Sequence, residues 1–222
     1  ENEVSLFQFK EFAKRNFKEQ KKGTFRKKTI PLDELIAFST RTLDTALLKL
    51  SMAGGDAIGG QISSRIHTYT APKKGLFSSD KGSESEEKQF QAAKFILQKG
   101  LTSILLRDEI YAQLCKQLTG CNQEAALRRT WELMVFCCCL FPPSLRFSKY
   151  VAAFLFESYT SSHMSSRAAF ALWSLQQTYD AASKGIERQM VPSTMELKAL
   201  KKCAPIVAHV RLLDGLSKGV YI

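Results

Sequence analysis

The run "EAALRRTWELMVFCCCLF" (Glu124 to Phe141) constrains the fold more than any other part of the chain. Beyond Trp131 it is apolar on nearly every side, so a helix built from it has no face left for water. Such a helix is stable only when others surround it, which makes it the centre of a bundle. Pro142 and Pro143 end it, because neither supplies a backbone N–H. The surrounding layer is legible as apolar residues recurring at three- and four-residue steps. Phe9, Phe12, Ala13 and Phe17 form one such face; Leu43, Ala46, Leu47 and Leu50 a second; Phe90, Ala93, Ile96 and Leu97 a third. Leu106, Ile110, Leu114 and Leu118 mark a fourth, and Phe147, Tyr150, Val151, Phe154 and Leu155 a fifth. Pro31 opens a short helix, Ser144 is placed to cap the helix of Phe147, and Gly100 and Gly185 suit helix C-termini. Ser193 and Glu196 have the spacing of a capping box.

Two stretches interrupt this pattern. "MAGGDAIGGQISS" (Met52 to Ser64) loses periodicity and is expected to be a loop; its glycines match neither GxGxxG nor GxxxxGK[ST]. Residues 72–87, rich in Gly, Ser and charge, are expected to form a linker. β-prone runs appear only in "PIVAHVRLLDGLSKGVYI", where they flank Asp214-Gly215, a hairpin signal. The expected fold is therefore all-α, a multi-helix bundle over residues 1–203, followed by a short C-terminal β-hairpin segment at 204–222.

Several function classes fall away. No apolar run approaches the ~20 residues that span a bilayer. The N-terminus lacks the pattern of a signal peptide and begins without Met, so an excised piece of a longer protein is expected. Cys137, Cys138 and Cys139 are consecutive, so they point about 100° apart and cannot share one ion. With no CxxC or HExxH, the six cysteines read as buried, reduced thiols of a cytoplasmic protein. His67, His163 and His209 stand in no catalytic motif, and Ser144 lacks the GxSxG elbow. No enzyme activity, cofactor or metal is expected.

Charge carries more. The net charge is +11, and between Lys10 and Lys28 nine basic residues face only Glu11 and Glu19. Lys10, Lys14, Lys18, Lys21 and Lys22 lead this stripe. It implies an acidic partner (protein tails, acidic lipid or nucleic acid) or else a solvated face. No nucleic-acid motif or aromatic platform accompanies it, so no nucleic acid is expected.

The stretch "LRDEIYAQL" sets Arg107, Asp108 and Glu109 against apolar residues. Carboxylates in a helix's first turn are favoured by its exposed amides, by about 0.3–1 kcal/mol each. Arg107 is expected to pair with Glu132 on the central helix, with Tyr111 packed one turn on.

The motifs "LRDEIYAQLCKQLT", "RRTWELM", "CLFPPS", "KYVAAFL" and "VPSTMELKA" in this order resemble the myosin tail homology 4 domain, from Phe90 to Ala199. That module occurs in tails of unconventional myosins, in a plant kinesin, and in some pleckstrin-homology and Rho-GAP proteins. The resemblance implies that Arg107, Asp108, Glu109, Tyr111, Trp131, Glu132, Pro142 and Pro143 are structural, and that the module is non-catalytic. Thr130 stands where family members commonly carry Gly. The usual successor is a FERM domain, whose first, ubiquitin-like lobe the C-terminal segment resembles. The implied function is a cytoskeleton-associated module binding cargo-protein tails or microtubules together with FERM. The alternative is a membrane- or signalling-associated adaptor binding acidic lipid or protein. Arg146 and Lys149, beside a family motif, join the stripe as candidate contacts for tubulin.

Overall fold

The computed structural model describes residues 7–22, 28–71, 81–161, 164–204, 207–211, 213 and 217–221. In chain order the elements are α1 (Phe9–Asn16), β1 (Lys21–Lys22), β2 (Lys28–Thr29), α2 (Leu32–Ile36), α3 (Gly55–Thr70), α4 (Lys81–Thr102) and α5 (Ile104–Leu118). They continue with α6 (Glu124–Leu140), α7 (Leu145–Ser161), α8 (Ser165–Ser183), α9 (Thr194–Lys201), β3 (Val207–Arg211) and β4 (Ser217–Tyr221).

The all-round apolar helix is α6, and it is central as expected. It packs against α8, α5, α3, α9 and α4. Leu133 to Cys138 are wholly buried, Trp131 is buried, and Pro142 and Pro143, both buried, follow its end. Thr130 is buried and donates its hydroxyl hydrogen bond to Ala126 O at 2.8 Å, so the larger residue is accommodated by its own helix. On α7, Phe147, Val151 and Leu155 face the core. α1 is pinned across α7 by rings: Phe12 stacks on Phe147 at 3.7 Å, and Phe9 meets Phe154 edge-on at 5.9 Å. Gly185, at φ 73°, ends α8, and the Ser193–Glu196 capping box opens α9, both as the sequence implies.

The structure differs from the sequence pattern in four places. Leu43 to Leu50 is not a helix: Ala46, Leu47 and Leu48 are buried, but in an irregular strand that bridges to Phe17. Helical spacing here records only which residues face inward; the backbone amides are claimed by side chains from elsewhere. Met52 to Ser64 is no loop, because α3 begins at Gly55. Its glycines are contact points: a Cβ on Gly59 would lie 2.4 Å from Ala46 Cα, and one on Gly60 2.5 Å from Asp44 O. The irregular strand rests directly on the helix backbone there. α4 starts at Lys81, so 81–87 is helix rather than linker, while 72–80 lies outside the described residues. Gly100 lies inside α4 instead of capping it, and a Cβ on it would be 2.1 Å from the Phe141 ring.

At the C-terminus β3 and β4 pair antiparallel, with Val207 opposite Tyr221 and Arg211 opposite Ser217. Their Asp214-Gly215 turn lies outside the described residues. A second pair, β1–β2, sets Lys21 opposite Thr29 and was not signalled by alternation.

Gly59→Ala separates contact from propensity. Helix propensity favours alanine by about 1 kcal/mol. The clash with the Ala46 backbone should override this and destabilise the protein, by about 1–3 kcal/mol. A lower urea midpoint is the expected outcome; a higher one would mean the strand does not press on α3.

Candidate functional site

α5 is buried along almost its whole length, yet it carries six charged or amide side chains that bond to other segments. Arg107 Nε donates to Gly100 O at 2.8 Å, and its guanidinium reaches Glu187 Oε2 at 3.2 Å. Asp108 accepts from Ser144 N at 2.8 Å and Ser144 Oγ at 2.6 Å, holding the head of α7. Glu109 accepts from the amides of Leu47 and Leu48 at 2.7 and 2.8 Å, and from Gln113 Nε2 at 2.7 Å. Gln113 also donates to Gly59 O at 2.9 Å, Lys116 donates to Ala37 O, and Gln117 accepts from Ser39 N at 3.4 Å. Tyr111, fully buried, donates to Phe141 O at 2.8 Å and meets that ring edge-on, while Arg107 lies 5.7 Å from the same ring's centroid.

These contacts correct three expectations. The helix begins at Ile104, so Asp108 and Glu109 are beyond its first turn and serve other segments rather than their own N-terminus. Ser144, expected to cap α7 by its own hydroxyl, donates that hydroxyl to Asp108. Arg107 does not pair with Glu132. Glu132 instead accepts from Tyr69 Oη at 2.9 Å and lies 4.0 Å from Arg167, because α6 turns it towards α3 and α8. Burial pushes the carboxyls of Glu109 and Asp108 above the usual range, Asp108 against the pull of Ser144. Burial lowers Lys116 to about 8. Gln113, Lys116, Gln117 and Glu187 escaped the sequence reading. For the first three, polar types among the apolar residues of a core helix were the available signal; Glu187 sits in an irregular segment with none.

The basic stripe is broken up by the fold. Lys10 pairs with Asp33 at 2.6 Å, a hydrogen-bonded contact that raises its pKa, and Lys18 lies past the end of α1 in an ion pair with Asp56. Lys21 is exposed on β1, and the side chain of Lys22 lies outside the described residues. Lys14 and Arg15 are exposed on α1. Beside them α7 presents Arg146, which donates to Asn16 Oδ1 at 2.6 Å, and Lys149, whose Nζ lies 5.1 Å from the Phe7 ring centroid. Residues distant in sequence thus place exposed bases on two neighbouring helices. Arg15, Lys49 and Arg146 also line a common groove of about 230 Å³.

No catalytic grouping emerges among the described residues. His67 is held structurally, its ring nitrogens 2.8 Å from Ser63 O and 3.0 Å from Ser39 O. His163 and the side chain of His209 lie outside the described residues. The six cysteines are free; Cys115, Cys137 and Cys138 are buried, and burial pushes the Cys139 thiol up to about 11. No described helix is long and apolar enough to cross a membrane.

Residues 93–199 match the family of the MyTH4 domain. The chain is 31% identical over 226 residues to the Myosin-I heavy chain of Dictyostelium discoideum, with all of this chain and 9% of that protein covered. It is 25% identical over 203 residues to the kinesin-like protein KIN-14I of Oryza sativa subsp. japonica, with 87% of this chain and 16% of that protein covered. It therefore spans under a fifth of either curated relative. Among solved structures, the MyTH4-FERM MF1 domain of Dictyostelium discoideum myosin VII superposes with a TM-score of 0.83 at 29% identity, over all of this chain and 42% of that one.

Two measurements test the α5 contacts. A double-mutant cycle of Arg107→Ala and Glu187→Ala should show coupling of about 0.5–1 kcal/mol, a modest value because Glu187 is part-exposed. The cycle of Arg107 with Glu132 should show none. Lys116 binds its proton less tightly folded than unfolded, so the unfolded state holds more protons between about pH 8 and 10.5. Its contribution to stability therefore rises with pH across that window. Urea titrations of the wild type and Lys116→Met should diverge there, the wild type gaining relative to the variant; parallel curves would show that the ammonium is not desolvated.

Proposed function

Because residues 93–199 are a MyTH4 domain, a non-catalytic module of myosin tails, we propose that the chain is a binding module in the tail of a cytoskeletal motor and docks acidic polypeptide through the exposed bases of α1 and α7. The observation that carries this reading is the contact between the two helices: Arg146 of α7 donates to Asn16 at the end of α1 and shares a groove with Arg15, while Lys14 and Lys149 are exposed on the same two helices. Charge brought to one surface from two elements attracts a polyanion and steers its approach. Tubulin tails are the acidic partner proposed, and the likeness to a kinesin-like protein supports them. The β3–β4 hairpin at 207–221 opens the first lobe of a FERM domain with which this module acts, in keeping with its likeness to a MyTH4-FERM structure. Cargo-protein tails would use the same surface. The working site is cytoplasmic and cytoskeletal.

Lys10 and Lys18 are poor choices for a test, since reversing either would set a carboxylate against Asp33 or Asp56. Lys14→Glu combined with Lys149→Glu should weaken co-sedimentation with microtubules roughly tenfold and flatten its salt dependence, with the helical circular dichroism unchanged. Tubulin stripped of its acidic tails should bind the wild type poorly. Equal binding by the double variant would remove this surface from the function.

A further inference from the structure

The groove of about 230 Å³ between α1, the strand at 48–50 and the heads of α5 and α7 has a composition that a diffuse basic patch lacks. Its bases come from three separate places in the chain: Arg15 on α1, Lys49 on the strand and Arg146 on α7. One carboxylate, Asp108, also lines it, and both of its oxygens are already occupied by Ser144. Between the bases lie apolar side chains, among them Leu50 and Leu105, the latter 41% exposed although it belongs to the core's central polar helix. We infer that this groove seats a single apolar side chain of an extended acidic peptide, whose flanking glutamates are held by Arg15, Lys49 and Arg146. The inference rests on the acidic-polypeptide reading above and deepens it by naming what the peptide must carry.

Size and shape select this occupant. A cavity of this volume takes one side chain. It offers no exposed ring for stacking a base. Its leucines lie in a concavity, whereas insertion into a lipid surface needs apolar residues that project. Charge complementarity would draw the acidic segment in, and burial of one apolar group on Leu50 and Leu105 would set its register. The groove also depends on the fold's interior. Lys49 and Leu50 follow directly on the Leu47 and Leu48 amides that Glu109 holds.

The test uses the full chain and fluorescence anisotropy with a short labelled peptide of glutamates around one phenylalanine, beside a twin carrying serine in its place. The wild type should prefer the phenylalanine peptide by about fivefold. Arg15→Ala with Lys49→Ala should weaken both peptides by about tenfold. Leu105→Ala, at a part-exposed position, should abolish the preference while leaving the serine peptide's affinity and salt dependence unchanged. Equal affinity of the wild type for the twins would overturn the inference, as would a preference that survives Leu105→Ala. So would phosphatidylserine vesicles displacing both peptides equally well from the wild type and from Leu105→Ala, which would favour a membrane surface. Microtubule binding separates the two readings. Loss on Lys14→Glu with Lys149→Glu, but full retention in the groove variants, refutes the groove and leaves the module's function standing. Peptide selectivity that needs Leu105 without any microtubule binding supports the groove and refutes tubulin as partner.

Discussion

Glu109 is the contact on which the N-terminal half of the structure depends. A carboxylate buried to 0% exposure costs several kcal/mol in desolvation unless its oxygens are occupied. Here they accept two consecutive backbone amides and a glutamine side chain. The amides gain equally, because a strand lying between helices has no ladder of its own to satisfy them. With Leu47 and Leu48 fixed, Leu48 bridges Phe17, Lys18 N bonds to Leu47 O, and Ala46 comes down on Gly59. Each of these contacts joins α1, the strand and α3 to the rest of the bundle.

The same logic runs along all of α5. Arg107, Asp108, Gln113, Lys116 and Gln117 each bind backbone that belongs to another segment: the end of α4, the head of α7, α3, and residues 37 and 39. A helix made this way acts as a polar spine inside an apolar bundle. Its acids and bases have the types found in active sites, and burial perturbs Asp108, Glu109 and Lys116 in the same manner, but most of their hydrogen bonds go to main-chain groups of neighbouring segments. Perturbed titration here reports construction and not chemistry. On the outside, the fold pairs two lysines of the stripe with Asp33 and Asp56 and brings Arg15, Lys49 and Arg146 to one groove.

Much of this was legible in the residues. The apolar helix α6 and its position at the centre, the layer around it, the capping box of α9, the glycine end of α8 and the C-terminal hairpin follow from periodicity and local backbone chemistry. Trp131 and Tyr111 are buried as expected, and Pro142 and Pro143 follow the end of α6. The errors share one cause. Leu43 to Leu50 has helical spacing and is not helical, and the glycines of α3 resemble loop glycines and are contact points. In both cases the deciding atoms lie on the other segment of the pair. The pairing of Lys10 and Lys18 was hidden in the same way, since Asp33 and Asp56 are distant in sequence and ordinary in context.

By itself the sequence determined which residues go inside, where most helices begin and end, and that the surface carries a large positive excess, because these depend on side-chain type and on hydrogen bonds within a few residues. Only the tertiary structure decided which backbone each buried polar group holds, which lysines stay available to a partner, and that Arg15, Lys49 and Arg146 share a groove. Those outcomes depend on distances between segments up to a hundred or more residues apart, and the free energy of a buried charge or a close glycine contact is set by whatever the fold brings against it.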